Sequence, residues 1–137
     1  MKLVSGCLIG VKCNYKAEAR PNKKLIEMFK MGELLPVCPE MLGGLPAPRE
    51  PCEQKDKKVF AKSGKDVTKE FAKGAKEVMA LVKKYNIKEA ILKARSPSCG
   101  SGKIYDGSFS GKLIDGDGVL ASILKRKGIK IITEEDI

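Results

Sequence analysis

Three apolar segments of this chain each lead to a cysteine beside glycine, serine or proline, and this pattern constrains the fold most. The segments are residues 3–10 with Cys7, residues 34–40 with Cys38, and residues 89–94, which Cys99 follows in a loop of small residues. Short apolar runs bounded by turn residues predict buried strands. Parallel strands end at one edge of a sheet, where open α/β folds bind ligands, so the three thiols can meet there.

Helical patterns alternate with these strands. The predicted strands cover residues 1–9, 34–37, 87–94 and 129–133, and the predicted helices cover residues 21–30, 66–85 and 118–127. Residues 54–65 suggest a surface hairpin, and residues 97–118 suggest a long glycine-rich loop. This alternation predicts an α/β fold, a single-domain sandwich over residues 1–137 with a largely parallel β-sheet flanked by helices.

The composition restricts the cellular location and the binding partners that we expect for this protein. No apolar run approaches the roughly 20 residues of a membrane helix, and the first segment does not resemble a signal peptide, so we expect a cytoplasmic protein without a membrane partner. The net charge of +10, from 27 Lys and Arg against 17 Asp and Glu, suits RNA or a small anion. Because the lysines are scattered, simple solvation of the surface explains the charge equally well.

The cysteine and histidine counts narrow the chemistry. Five cysteines cannot all pair, and the absence of histidine excludes mixed Cys–His zinc sites, Cys–His nucleophiles and the Ser–His–Asp triad. No Cys-x-x-Cys motif is present either. Separate thiolates favour an iron–sulfur cluster, in which three ligands leave one iron open as a Lewis acid. The alternative is that the cysteines are small buried hydrophobic residues.

Two cysteines remain outside this set of three. Cys52 lies in an irregular segment rich in proline and glycine, and Cys13 follows Cys7 by six residues. We interpret both as spare cysteines, although Cys13 remains a rival ligand.

Polar residues beside the cysteines suggest proton transfer and binding. Glu40 follows Cys38 by two residues, after a proline that fixes the turn, so its carboxylate can face the same cavity, although an exposed surface glutamate is an equal explanation. Ser96 and Ser98 can donate hydrogen bonds to a substrate or to sulfur, although capping of their loop is an equal explanation. Gly100 allows the backbone to approach a bulky group closely. Positive charge near the cavity could come from Arg49, Arg95 and Lys103, but these side chains could equally be solvated at the surface.

These segments together resemble a known family. The matching blocks are SGCLIGVKC at residues 5–13, VCPEMLGGLPAPR at 37–49, DVT at 66–68, RSPSCG at 95–100 and YDG at 105–107. In order and spacing they resemble the DUF523 family, whose members include 2-thiouracil desulfidases. The resemblance extends over nearly the whole chain. It departs at residues 14–18, where the family often has Asp-Gly after the tyrosine, and at Cys52.

The resemblance implies a cofactor, a reaction and site residues. The cofactor is a [4Fe–4S] cluster whose ligands are Cys7, Cys38 and Cys99, with one iron left open. The reaction is a non-redox cleavage of a C–S bond, as in a hydrolase or lyase, that converts 2-thiouracil to uracil and hydrogen sulfide. Glu40 matches the catalytic acid/base and Ser96 the active-site serine. We expect the substrate to contact Ser5, Ser98 and Gly100.

Other functions remain open at this stage. The positive charge keeps 4-thiouridine in tRNA as an alternative substrate. A non-catalytic carrier of a cluster or of sulfide, and a structural zinc domain, are further alternatives. We expect the protein to act as a monomer or a homodimer on a small thiolated base.

Overall fold

Eight strands and four helices follow one another along the chain in the computed structural model, which describes residues 1–137. The strands are β1 Lys2–Ser5, β2 Leu34–Val37, β3 Cys52–Lys55, β4 Lys58–Ala61, β5 Glu89–Leu92, β6 Lys103–Tyr105, β7 Leu113–Asp115 and β8 Lys130–Thr133. The helices are α1 Lys23–Lys30, α2 Pro39–Leu42, α3 Thr68–Lys84 and α4 Val119–Arg126.

A parallel sheet of four strands, in the order β2-β1-β5-β8, is the centre of the molecule. Strands β3 and β4 form an antiparallel hairpin, and so do β6 and β7. The chain adds β2 on one side of β1 and β5 on the other, so the topology switches direction at β1. The predicted α/β sandwich with a parallel sheet is confirmed. A switch point of this kind opens a crevice at the carboxyl ends of the strands.

Helices cover both faces of this sheet because successive side chains of a strand point to opposite sides. Leu3 packs with α3 and α4 in the larger core, whereas the next residue, Val4, packs with Leu25 of α1 in a smaller one. Ala90 and Ile91 of β5 divide between the two cores in the same way. Almost all of this core is aliphatic, as the low aromatic content predicts.

Strand β1 ends earlier than predicted. The sequence predicts a strand over residues 1–9, but β1 stops at Ser5 and a 3-10 turn, Gly6–Ile9, follows. Gly10 closes this turn at φ 102°, a left-handed conformation that glycine adopts without strain. The apolar residues of the turn reach the core beside α1 without continuing the sheet. Cys7 is consequently presented by a turn and not by a strand.

Two segments predicted to be irregular contain short elements. Residues 97–118, predicted as a loop, include the β6–β7 hairpin, whose strands are three residues long. All three residues of β7 are exposed, so the hairpin lacks the buried alternation from which a strand is recognised. Helix α2 is a single turn in the proline-rich segment, with Pro39 in its first turn. The hairpin predicted within residues 54–65 is confirmed, and it begins at Cys52.

Helices α2 and α3 approach each other through two glycines. A Cβ atom on Gly74 would overlap the carbonyl oxygen of Pro39, and one on Gly43 would overlap the carbonyl oxygen of Glu70. Backbone therefore packs directly on backbone, and α3 fixes the position of the short helix that carries Glu40. None of the helices is both long enough and apolar enough to cross a bilayer.

Candidate active site

A cavity of about 500 Å³ opens at the carboxyl edge of the sheet. All the cysteines of the chain line it, and they are Cys7, Cys13, Cys38, Cys52 and Cys99. Cys7 follows β1, Cys38 follows β2, and Cys99 lies in the loop after β5. The prediction that these three thiols reach one place therefore agrees with the geometry of the cavity.

Cys13 lies among the predicted ligands. Its thiol contacts the thiols of Cys7 and Cys38, and its carbonyl oxygen accepts a hydrogen bond from the Cys38 thiol over 3.5 Å. Cys52 is set apart: its thiol donates to the carbonyl oxygen of Glu50 over 3.5 Å, and its side chain packs towards the small core around Phe71.

The thiols of Cys13, Cys38 and Cys99 favour their neutral form in this environment. Burial raises the pKa of Cys99 to about 12, because desolvation penalises a thiolate. At Cys13 the contact with Cys38 lowers the pKa, while the contact with Cys7 and burial raise it, to about 11 overall. The pKa of Cys38 is also raised, by its contact with Cys13 and by burial. Binding of a soft cation here must therefore displace protons from sulfur.

The donor set suits a cluster with several metal atoms. No group of three or more His, Cys, Asp or Glu side chains has the geometry of a single-ion site. The five cysteines instead line one cavity, and a cubane accepts such ligands because each thiolate binds a different iron. Soft sulfur donors suit iron–sulfur clusters, as they also suit zinc and copper(I).

The carboxylate of Glu40 has a defined partner on each oxygen. Nε of Arg49 donates to Oε1 over 3.0 Å, and the Ser98 hydroxyl donates to Oε2 over 2.9 Å. The side chains of Arg49 and Glu40 are only 6% and 12% exposed. Solvent screens such a pair weakly, so each charge depends on the other for its stability. Glu40 therefore combines an ionic partner with a hydroxyl partner at the wall of the cavity.

A second hydroxyl extends this arrangement. Oγ of Ser96 accepts hydrogen bonds from the backbone N–H groups of Ser98 and Cys99, over 3.2 and 3.0 Å, and lies 3.0 Å from Oγ of Ser98. Since the Ser98 proton is directed to Glu40, the proton between the two hydroxyls belongs to Ser96. A connected path thus runs from Ser96 through Ser98 to Glu40. Ser96 also caps its own loop, the structural role that the sequence left open.

Ser5 and Gly100 occupy different environments. Ser5 lines the cavity, and its Oγ accepts from the Lys93 backbone N–H over 2.9 Å and contacts the Cys99 thiol. Gly100 is not among the cavity-lining residues. Its N–H donates to the Ser96 carbonyl over 2.8 Å, and a Cβ there would lie 2.6 Å from the same oxygen. Gly100 therefore allows the tight turn that presents Ser96, Ser98 and Cys99.

Every cationic side chain at the cavity wall has a carboxylate partner. Arg49 pairs with Glu40, and the other three pairs are Arg20 with Glu18, Lys93 with Glu134, and Arg95 with Glu135. Lys103 is not at the cavity and pairs with Asp115. The positive charge of the chain is consequently not concentrated at this cavity.

Aromatic side chains and their anchor were not predicted from the sequence. Tyr15, Tyr105 and Phe109 line the cavity, although the chain has only three tyrosines and four phenylalanines. Oε1 of Glu53 accepts from the backbone N–H groups of Gly107 and Phe109, over 3.0 and 3.1 Å, and so holds their loop at the cavity. The clustering of Tyr105 and Phe109 in one glycine-rich loop was the available signal.

Comparison with known proteins agrees with this geometry. The model of the 2-thiouracil desulfurase family matches residues 3–136. The uncharacterized protein YbbK of Bacillus subtilis (strain 168) is 40% identical over 147 residues, covering 100% of this chain and 97% of YbbK.

A solved structure shares the fold throughout. It is described as a [4Fe-4S]-dependent thiouracil desulfidase, TudS, and superposes with a TM-score of 0.94 at 39% identity, covering 99% of this chain and 91% of that chain. The resemblance found in the sequence is therefore confirmed over nearly every residue. This chain belongs to the 2-thiouracil desulfurase family.

Proposed function

We propose that this protein is a [4Fe–4S]-dependent desulfidase that converts 2-thiouracil and water to uracil and hydrogen sulfide. The observation that carries the proposal is one cavity lined by Cys7, Cys38 and Cys99 together with a carboxylate that is fixed on both oxygens. Membership of the desulfurase family supports it. We infer that residues 1–137 act as one desulfidase domain.

The proposed ligands of the cluster are Cys7, Cys38 and Cys99, which would bind as thiolates. A cluster held by three cysteines supplies an iron without a protein ligand, a Lewis acid that polarises a thiocarbonyl. A cluster takes its ligands at separate corners, and the three cysteines reach the cavity from separate parts of the chain.

The proposed chemistry of the chain itself centres on Glu40. Replacing sulfur by oxygen requires a water molecule to lose a proton as its oxygen bonds to the ring carbon, and Glu40 is the carboxylate positioned to accept that proton. Donation from Ser98 leaves Oε2 with free acceptor capacity, since a carboxylate oxygen has two lone pairs. The Ser96 hydroxyl donates in turn to the Ser98 hydroxyl and so holds it in position. Glu40 returns this proton to the leaving sulfur, and the second proton of the water follows it as the new C–O bond becomes a carbonyl, so both hydrogens of the water leave as hydrogen sulfide.

The cavity favours a neutral base over a phosphate-bearing substrate. Each of its cationic side chains already has a carboxylate partner, which a phosphate would have to displace. Its three aromatic side chains suit a flat pyrimidine ring, which stacks on aromatic faces. We therefore propose free 2-thiouracil as substrate, ahead of 4-thiouridine in tRNA.

Anaerobic reconstitution with iron and sulfide, followed by measurement of sulfide release from 2-thiouracil, tests the proposal. We expect a brown protein that releases one sulfide per uracil formed. Replacement of Cys7, Cys38 or Cys99 by alanine is expected to abolish the chromophore. Cys52→Ala is the matched control, and it is expected to retain both iron and colour.

Each alternative gives a different result. A chromophore without turnover of any thiolated base would indicate a carrier. A colourless protein that contains zinc after anaerobic purification would indicate a structural zinc domain. Turnover of thiolated tRNA alone, with steeply salt-dependent binding, would identify a tRNA enzyme. If Cys13→Ala loses iron while the alanine variant of Cys7, Cys38 or Cys99 retains it, Cys13 replaces that residue as a ligand.

A further inference from the structure

Arg49 makes four hydrogen bonds at the wall of the cavity. Its Nε donates to Glu40, one terminal nitrogen donates to the Pro46 carbonyl, and the other donates to the Cys13 carbonyl, each over 3.0 Å. Its backbone N–H donates to the carbonyl of Tyr15 over 2.7 Å. Arg49 thus joins the segment that carries Glu40 to the loop that carries Cys13 and Tyr15.

The two oxygens of the Glu40 carboxylate have different hydrogen-bond partners. Arg49 engages Oε1 and Ser98 engages Oε2, from different parts of the chain. A carboxylate held at only one oxygen can rotate about its terminal bond, whereas one held at both cannot. The bond from Arg49, together with that from Ser98, therefore fixes the plane of the carboxylate and holds one of its oxygens on the Ser98 side, next to the loop of Cys99.

We propose that Arg49 is a positioning residue that fixes the Glu40 carboxylate, at a set distance from the Cys13 loop, in the orientation that accepts a proton from water. This inference rests on the proposed function, because it assigns Arg49 a role only through Glu40. Arginine suits the task because its planar guanidinium directs donors to three acceptors in fixed directions. Lysine keeps the charge, but its donors all lie on one atom and cannot reproduce that geometry.

The test compares Arg49→Lys with wild type after anaerobic reconstitution, using 2-thiouracil as substrate. We expect kcat to fall roughly 10- to 100-fold, the size of effect that follows a small misplacement of a catalytic group. We expect KM to change by less than about threefold, because Arg49 acts on the reacting step and not on ground-state binding. Iron content, the visible spectrum and the cooperative unfolding transition are expected to match wild type.

A second variant separates positioning from a structural role. In Arg49→Ala, added guanidinium ion at millimolar concentration is expected to restore part of kcat, since it can reoccupy the space beside Glu40. Arg126→Lys is the matched control, an exposed arginine in the last turn of α4. It is expected to behave as wild type and to show no response to guanidinium.

The outcomes distinguish failure of the proposed function from failure of the inference about Arg49. Wild-type protein that carries a cluster but releases no sulfide would refute the proposed function. Active wild type together with an unchanged kcat in Arg49→Lys would overturn the inference about Arg49 alone. Loss of iron, of the spectrum or of cooperative unfolding in Arg49→Lys, or an Arg49→Ala variant that guanidinium does not rescue, would assign Arg49 a structural role and would also overturn it.

Discussion

The hydroxyl of Ser98 donates to Oε2 of Glu40 over 2.9 Å, although the two residues are 58 positions apart in the chain. Ser98 was expected to contact the substrate, and this bond gives it a second task as partner of the carboxylate. Ser98 is buried, and the other possible acceptors for its hydroxyl are Oγ of Ser96 at 3.0 Å and Sγ of Cys99 at 3.7 Å. The loop after β5 and the helix turn after β2 are thereby joined at the point where proton transfer is proposed.

Removal of this hydroxyl is expected to slow catalysis. Ser98→Ala deletes the donor to Oε2, so the carboxylate becomes freer to rotate, and we expect kcat to fall about 10-fold or more. The chromophore should persist, because no ligand is changed. Ser122→Ala on α4 is the control and should have wild-type kinetics. Unchanged kcat in Ser98→Ala would show that Arg49 alone is sufficient to orient Glu40.

Neutralising Glu40 is expected to separate cofactor binding from turnover. Glu40→Gln keeps the size of the side chain but removes its capacity to accept a proton, and we expect kcat to fall roughly 100-fold or more. The charge of Arg49 is then left without its partner, and breaking a buried pair in this way costs about 3–5 kcal/mol of folding stability. Iron per chain and sulfide release, measured on the same sample, check this. Normal turnover would refute the role of Glu40.

Adding a methyl group at Gly74 is expected to destabilise the protein. Alanine normally stabilises a helix interior relative to glycine by up to about 1 kcal/mol. Here the new Cβ would overlap the Pro39 carbonyl, so we expect Gly74→Ala to lower the stability by about 2–3 kcal/mol. Thermal unfolding should show the difference. Lys73→Ala, at the exposed neighbouring position, should change the stability by less than about 0.5 kcal/mol.

The two glutamates of the C-terminal 3-10 turn, Glu134–Asp136, are expected to differ in their contribution to folding stability. Glu134 accepts from the Ala94 N–H and pairs with Lys93, both over 2.7 Å, in a partly buried position. Glu134→Ala leaves the Ala94 N–H without a partner and Lys93 with only its longer bond to the Ala94 carbonyl, over 3.4 Å, and should cost about 1–3 kcal/mol. Glu135 pairs with Arg95 in a more exposed position, so Glu135→Ala should cost less than about 1 kcal/mol. Urea unfolding measures the free energy of unfolding of both variants. A lower value for Glu135→Ala than for Glu134→Ala would contradict the prediction.

Much of the fold was predictable because its main signals are local. The 17-residue helix α3 has a clear apolar periodicity, and the segments of β1, β2 and β5 are apolar runs bounded by turn residues. The end of β1 and the β6–β7 hairpin were missed for physical reasons. An apolar run does not reveal where a strand yields to a 3-10 turn, and β7, exposed throughout, has no buried face to detect.

Part of the cavity lining could be predicted from the sequence, but the bonds within it could not. Parallel topology brings Cys7, Cys38 and Cys99 to one edge, and this follows from the order of the strands. The pairing of Arg49 with Glu40 depends on how residues 39–49 fold back on the Cys13 loop, which no periodic pattern encodes. The same holds for the Glu53 anchor, because its acceptor role arises only when distant backbone N–H groups reach it.

Strand β5 lies beside β1 in the sheet, although 83 residues separate the end of one from the start of the other. Cys99 can therefore join Cys7 only after β2 and the intervening helices have been synthesised. If these cysteines share a cofactor, its full set of ligands exists only once translation has passed Cys99, late in the 137-residue chain.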